Sequence, residues 1–342
     1  MSKMNHVLTN TEKITKKHEL IDKKMLEKYT TPDWSKSSWQ IANSFIPYIL
    51  LMITMYFSLS ITYWLTLVLA IPAAAFMVRI FIIFHDCGHG SFFKSRRANN
   101  IIGFIAGLIT FAPYYHWNRK HAIHHASAGD LDRRGIGDVW TLTVKEYQRL
   151  PKRERLTYKI FRNPLTMLLF GPVYLFLISN RFVTGKTSSK ERHYVYATNL
   201  GILILVIISS FLIGLKAYLM IQLPIILIAG IAGVWLFYVQ HQFEGVYWSR
   251  HQDWNYQNAA LEGSSFYKLP KVLQWFSGNI GFHHIHHLSP RIPNYNLELC
   301  HKEIQEFQNV KPLTLLASLK SIKYRLWDEE NNELVGYEYF KE

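Results

Sequence analysis

Histidine is spaced for metal binding at three places in this chain. HDCGH sets His85 and His89 four residues apart, HAIHH supplies His121, His124 and His125, and HHIHH repeats that spacing as His283, His286 and His287. An α-helix turns about 100° per residue, so rings at i and i+4 share a stripe and rings at i, i+3 and i+4 fill a sector of about 100°. Each box therefore turns its imidazoles toward a common centre. Neutral imidazole is the usual nitrogen ligand of zinc, copper, iron and nickel. The three boxes hold eight such rings, more than the four that one tetrahedral ion takes, which points to two ions, or to one ion with several idle rings. His241, in VQHQFE, is a candidate ninth ligand at the same depth. His284 falls about 60° outside the sector of its own box, and His116 points away from its neighbours. His6, His18, His193, His251 and His301 read as ordinary loop or tail residues.

Long apolar elements flank these boxes. Of 342 residues, 49% are hydrophobic and 15% aromatic, yet the formal charge is +14. That balance fits a membrane protein with basic loops and argues against nucleic acid as a partner. A span needs about 20 apolar residues, and runs at about 41–60, 64–84, 196–215 and 221–240 qualify. They read as two tight hairpins, turned by residues 61–63 and by 216–220. Segments 101–115 and 164–178 are shorter or broken, and read as re-entrant or interfacial. The predicted fold is an all-α integral membrane protein: four transmembrane helices in two hairpins, capped by a cytoplasmic histidine-rich helical domain. Residues 1–38 and 301–342 read as cytoplasmic tails around a membrane domain at 39–300. Lys and Arg crowd the tails and the middle loops, which places both termini and the boxes on the cytoplasmic side. Neither a secretory signal nor a transit peptide is expected, and two cysteines, Cys87 and Cys300, support no disulfide framework.

HDCGH at the end of a span, HAIHH followed by HASAGDLDRR, VQHQFE, and GFHHIHH after a second hairpin together resemble the membrane-bound fatty acid desaturases, nearest the bacterial and cyanobacterial acyl-lipid group that includes Δ5 and Δ12 enzymes. The resemblance runs from about residue 40 to 300. It implies two non-haem iron ions bound by His85, His89, His121, His124, His125, His241, His283, His286 and His287, with dioxygen as co-substrate. It also implies membrane phospholipid acyl chains as substrate, a ferredoxin or flavodoxin as electron donor, and a bacterial cell membrane as location. Stearoyl-type members carry an asparagine one turn before the lone histidine. Here that position is Phe237, leaving Asn279 or Gln240 to make a polar contact instead. The absence of a His-Pro-Gly-Gly motif resembles members without a fused cytochrome domain.

Asp86, Asp130, Asp132, Asp138 and Glu244 lie near the boxes and are candidates to orient their rings. Phe111, Tyr114, Tyr115, Trp117, Trp235 and Phe237 are candidates to line an acyl tunnel. The basic stretches at 94–97, 133–134 and 152–155 either dock an acidic electron donor or meet lipid headgroups. Two alternatives stand beside the desaturase: a di-iron hydroxylase or ketolase on the same scaffold, and a histidine-rich membrane metal carrier. A carrier would favour charges along an ion path, whereas Arg79 is the one charged residue within the spans.

Overall fold

The computed structural model describes residues 21–183 and 187–340. His6, His18 and most of the basic N-terminal tail lie outside them. Among the described residues, four helices are long and apolar enough to cross a membrane: α1 (Trp34–Ser58), α2 (Tyr63–His89), and, after the middle region, α7 (Ser189–Ile213) and α8 (Leu215–His241). Between them come α3 (Arg96–Ile109), α4 (Tyr114–Ser127), α5 (Val144–Arg149) and α6 (Lys152–Phe161). After α8 follow α9 (Tyr256–Leu261), α10 (Lys271–Phe276), α11 (His283–Leu288) and α12 (Asn294–Glu303).

Helix α2 is the centre of the bundle. Its most apolar stretch is 56% buried against 6% for that of α7, which leaves α7 to face lipid. Ala70, Ala73 and Ala74 are fully buried on α2, and such small side chains let neighbouring backbones approach where no hydrophobic effect drives association. Helix α1 packs against α2 and is capped by Asp33, whose carboxylate accepts from Lys36 N–H at 3.0 Å. Near their turn the hydroxyls of Ser58 and Thr66 meet at 2.7 Å.

The helices overrun the apolar runs at the histidine-bearing end. Apolarity marks only the part in hydrocarbon, while backbone hydrogen bonding continues, so α2 extends to His89 and α8 to His241. The second hairpin also turns more sharply than the sequence indicates. Residues 216–220 are helical, and Gly214 alone makes the break, at φ +83°.

Segment 101–115 divides into the end of α3, a turn through Phe111 and the start of α4. The close return of α4 depends on Gly103, since a Cβ there would collide with the Tyr114 ring. Segment 164–178 belongs to a helical stretch, 166–181, that is π-helical on both sides of Gly171-Pro172 and bent 62° from α6. Pro172 packs on Gly230 of α8. If α6 and this stretch are counted as one broken span, the number of spans reaches five.

The expected C-terminal tail is folded onto the rest of the protein. Strands β1 (Leu142–Thr143), β2 (Phe266–Lys268), β3 (Pro312–Thr314), β4 (Leu326–Asp328) and β5 (Glu333–Val335) form two small sheets. Leu142 pairs in parallel with Leu326, and Phe266 with Pro312, which ties residues 312–335 to both histidine-bearing loops. Strands of two or three residues leave no readable alternation, but Leu326 and Trp327 are buried. His301 is likewise no loose tail residue: it is buried on α12 against Phe266 and Phe282.

Candidate metal centre

Four elements bring the histidines together. The C-terminal end of α2 carries His85 and His89, and Gly90 stops that helix in the left-handed conformation at φ +69°. Helix α4 carries His121, His124 and His125, α8 ends on His241, and α11 carries His283, His286 and His287. The rings form two groups: His85, His89, His121, His125 and His286, and His124, His241, His283 and His287. Within each group one ligand atom from every residue lies within 4.8 Å of all the others. All nine candidate positions fall in these two groups.

The contacts between rings test whether ions fit. Nε2 atoms face each other at 3.1 Å (His124–His241), 3.0 Å (His121–His125), 3.0 Å (His241–His283) and 3.1 Å (His125–His286). Two nitrogens each about 2.1 Å from one ion and about 90° apart would lie about 3.0 Å from one another. The Nδ1–H of His241 donates to the Gly263 carbonyl at 3.2 Å, and Nδ1 of His124 meets Asp138 at 2.5 Å. With Nδ1 protonated, their Nε2 lone pairs point at each other, which is stable only with a cation between them. Nε2 of His89 and of His287 is buried without a hydrogen-bond partner among the described residues, the state of a ligand atom that faces an ion. The donor set fits two ions.

Burial, and after it the neighbouring imidazoles, hold His121, His125, His286 and His287 far below the usual histidine range. The same two causes act on His283, with His241 the first neighbour. These five rings are therefore neutral, the state that binds metal.

Two of the five candidate carboxylates orient these rings. Asp86 Oδ1 faces His85 Nδ1 at 3.0 Å, and Asp138 faces His124. The others are engaged elsewhere: Asp130 with His251, Asp132 with Arg250, and Glu244 with Lys320. Asn294 is a contributor that the sequence did not reveal. Its backbone N–H and side-chain amide both donate to Asp86 Oδ2, at 2.7 and 2.9 Å, and its own Oδ1 accepts from Gln40 at 3.1 Å. No sequence signal singled it out, because the partners are 208 residues apart.

The expectation for Asn279 and Gln240 is corrected. Asn279 donates to the Asn294 carbonyl and Gln240 to that of Ile280, and neither bond reaches a box ring. The Gly263 carbonyl takes the role of polar partner to His241, and Phe237 packs its ring 5.5 Å from His241 and 5.4 Å from His124. Of the other aromatic candidates, Trp117 stacks on His121 at 4.3 Å. The Tyr114 hydroxyl donates to the Cys87 carbonyl, Tyr115 stacks on Tyr194, and Trp235 donates to Tyr267. The carbonyl of Phe111 accepts from Arg181.

His284 and His116 behave as their positions on the helix dictate. His284 is buried outside both groups, 5.4 Å from Phe266 and 5.7 Å from His301. His116 meets Glu191, which also accepts from Arg119.

Residues 62–314 match the profile of a family described as fatty acid desaturase. A fatty acid desaturase of Bacillus subtilis is 49% identical over 318 residues, covering 93% of this chain and 90% of the relative. The sn-1 oleoyl-lipid 12-desaturase of Synechocystis sp. is 25% identical over 303 residues, 84% of this chain and 79% of that protein. An sn-1 acyl-lipid omega-3 desaturase (ferredoxin) from the same organism is 27% identical over 229 residues, covering 64% and 61%.

Proposed function

We propose, for a chain that belongs to the fatty acid desaturase family, that it forms a cis double bond in the acyl chain of a membrane phospholipid with two iron ions, dioxygen and two external electrons. One observation carries this reading: nine histidines in two groups at one end of a bundle of membrane-length helices. His85, His89, His121, His125 and His286 would hold one ion, and His124, His241, His283 and His287 the other. Iron held there would supply, with dioxygen, the oxidising power that unactivated methylene groups demand and that no side-chain acid or base possesses. The chain loses two hydrogens as two electrons and two protons. Two further electrons and two protons from outside complete the reduction of dioxygen to two waters.

The residues' own work is positioning. Asp86 and Asp138 fix ring orientation and raise the basicity of the nitrogen that faces the ion. Trp117 and Phe237 set apolar rings beside the histidines, chemistry suited to a hydrocarbon chain. The acyl-lipid substrate is favoured by the names of the Synechocystis relatives, and a ferredoxin-type donor by one of them. Exposed Lys94, Arg96, Arg97 and Arg133 offer an acidic donor an attractive surface. The basic loops favour a cytoplasmic placement of the metal centre in a bacterial cell membrane.

The test is expression in a bacterium whose membranes lack such an enzyme, with double bonds in its fatty acids located by mass spectrometry beside a His286→Ala control. A new monounsaturated acid that disappears in the control is expected. A hydroxy acid in its place would make the chain a hydroxylase. Unchanged lipids, despite good expression and a supplied ferredoxin and reductase, would overturn the reading.

A further inference from the structure

Helix α6 presents Lys152, Arg155 and Lys159 at i, i+3 and i+7, on one face. With the aromatic rings of Tyr147, Tyr337 and Phe340 they line a cavity of about 500 Å³. The rings form a continuous floor, Tyr147 lying 5.6 Å from Phe340 and 5.7 Å from Tyr337. The cations are arranged above it. Arg155 donates to the carbonyls of Leu150 and Gln148 and sits over Tyr147, while Lys159 sits over Tyr337. Among the described residues none of the three pairs with a carboxylate, although Arg134 and Lys145 nearby pair with Glu146 and Glu330.

The cavity's setting identifies an anion source. Exposed Leu156 and Ile160 run along α6 beside the cation stripe, and at about 100° per residue they lie within about 120° of it. Beyond the 62° bend, Leu165, Leu169, Phe170 and Tyr174 continue the exposed apolar surface. A helix with adjoining apolar and cationic stripes lies in the membrane interface, its cations at headgroup level. Helix α6 also adjoins the metal centre. Arg162, three residues after Lys159, donates to Gln242, the neighbour of His241, at 2.9 Å.

We propose that this cavity binds the phosphate of an anionic glycerophospholipid and holds the lipid against the histidine-bearing end of the bundle. The inference rests on the phospholipid reading above and adds to it the place where the headgroup is gripped.

The test titrates the purified, metal-loaded protein, without an electron donor, in detergent with dioctanoyl phosphatidylglycerol, following its thermal unfolding midpoint. The wild type should show a saturable rise. Lys152→Gln/Arg155→Gln/Lys159→Gln should need about tenfold more lipid or worse, whereas Lys94→Gln/Arg96→Gln/Arg97→Gln should titrate like wild type. If loss of the Arg155 bonds unfolds the triple variant, Lys152→Gln/Lys159→Gln, at two exposed positions, reads the same effect. Equal lipid affinity in all variants overturns the site. Saturation by inorganic phosphate at the same concentration, with displacement of lipid, makes it a free-phosphate site and overturns the lipid assignment. A raised KM for the electron donor with lipid binding unchanged makes it a protein-docking surface instead. Because binding is read without turnover, saturable binding in a chain that forms no double bond fails the functional reading alone. Desaturation with lipid affinity independent of these cations fails the site alone.

Discussion

HHIHH places four imidazoles in five residues, and their surroundings separate them. His283, His286 and His287 turn toward the two groups, while His284 lies among Phe266, His301 and Phe307 and against the Ser265 backbone. Replacing it with an apolar side chain therefore removes no atom that faces either group. His284→Leu should keep the wild-type metal-to-protein ratio, measured by elemental mass spectrometry, and His283→Leu should lower it. A deficit in His284→Leu equal to that in His283→Leu would contradict the division. Asp138 is a harder case to replace. Asp138→Asn keeps the shape but loses the charge that polarises His124, so metal affinity should fall about 10- to 100-fold. Competition with a chelator, wild type beside variant, measures it.

At the scale of elements, helix α11 is only six residues long and owes its place to its neighbours. The Tyr267 N–H donates to the Gly281 carbonyl at 2.7 Å, so β2 holds the chain two residues before the box. A Cβ on Gly281 would strike the Tyr267 carbonyl. Gly281→Ala should destabilise the protein by about 2 kcal/mol and lower metal content, read by thermal unfolding and metal analysis on one preparation. An unchanged midpoint would mean that β2 yields freely. The boxes on α2 and α4 were readable because each lies on a helix longer than its motif. The Asp86–Asn294 bond was not, because a loop closure across 208 residues leaves no local pattern.

Across the whole molecule, a count of four spans would put the start of α1, the residues after α8 and the metal centre on one side of the membrane, and the α7–α8 turn on the other. Cys87 and Cys300 are both buried, so an introduced thiol can be read without background. Lys216→Cys should react with a membrane-impermeant maleimide in intact cells, and Arg97→Cys only after permeabilisation. Reversal of that pattern would invert the topology, and labelling of both from outside would require an even number of spans between them. The broken segment 166–181 is where such an extra crossing would arise.

The sequence by itself determined the four long apolar helices, the three boxes and the lone His241, because helical period and span length act over neighbouring residues. It also excluded His284 and His116 from the boxes' shared faces, by angle alone. Only the tertiary structure divided nine histidines into a group of five and a group of four, placing His124 apart from its neighbours His121 and His125. It also chose Asp86 and Asp138 from five carboxylates, replaced Asn279 and Gln240 by the Gly263 carbonyl, and folded residues 312–335 against the loops. These outcomes depend on which side chains meet across long stretches of chain, and packing and hydrogen-bond satisfaction decide that in three dimensions.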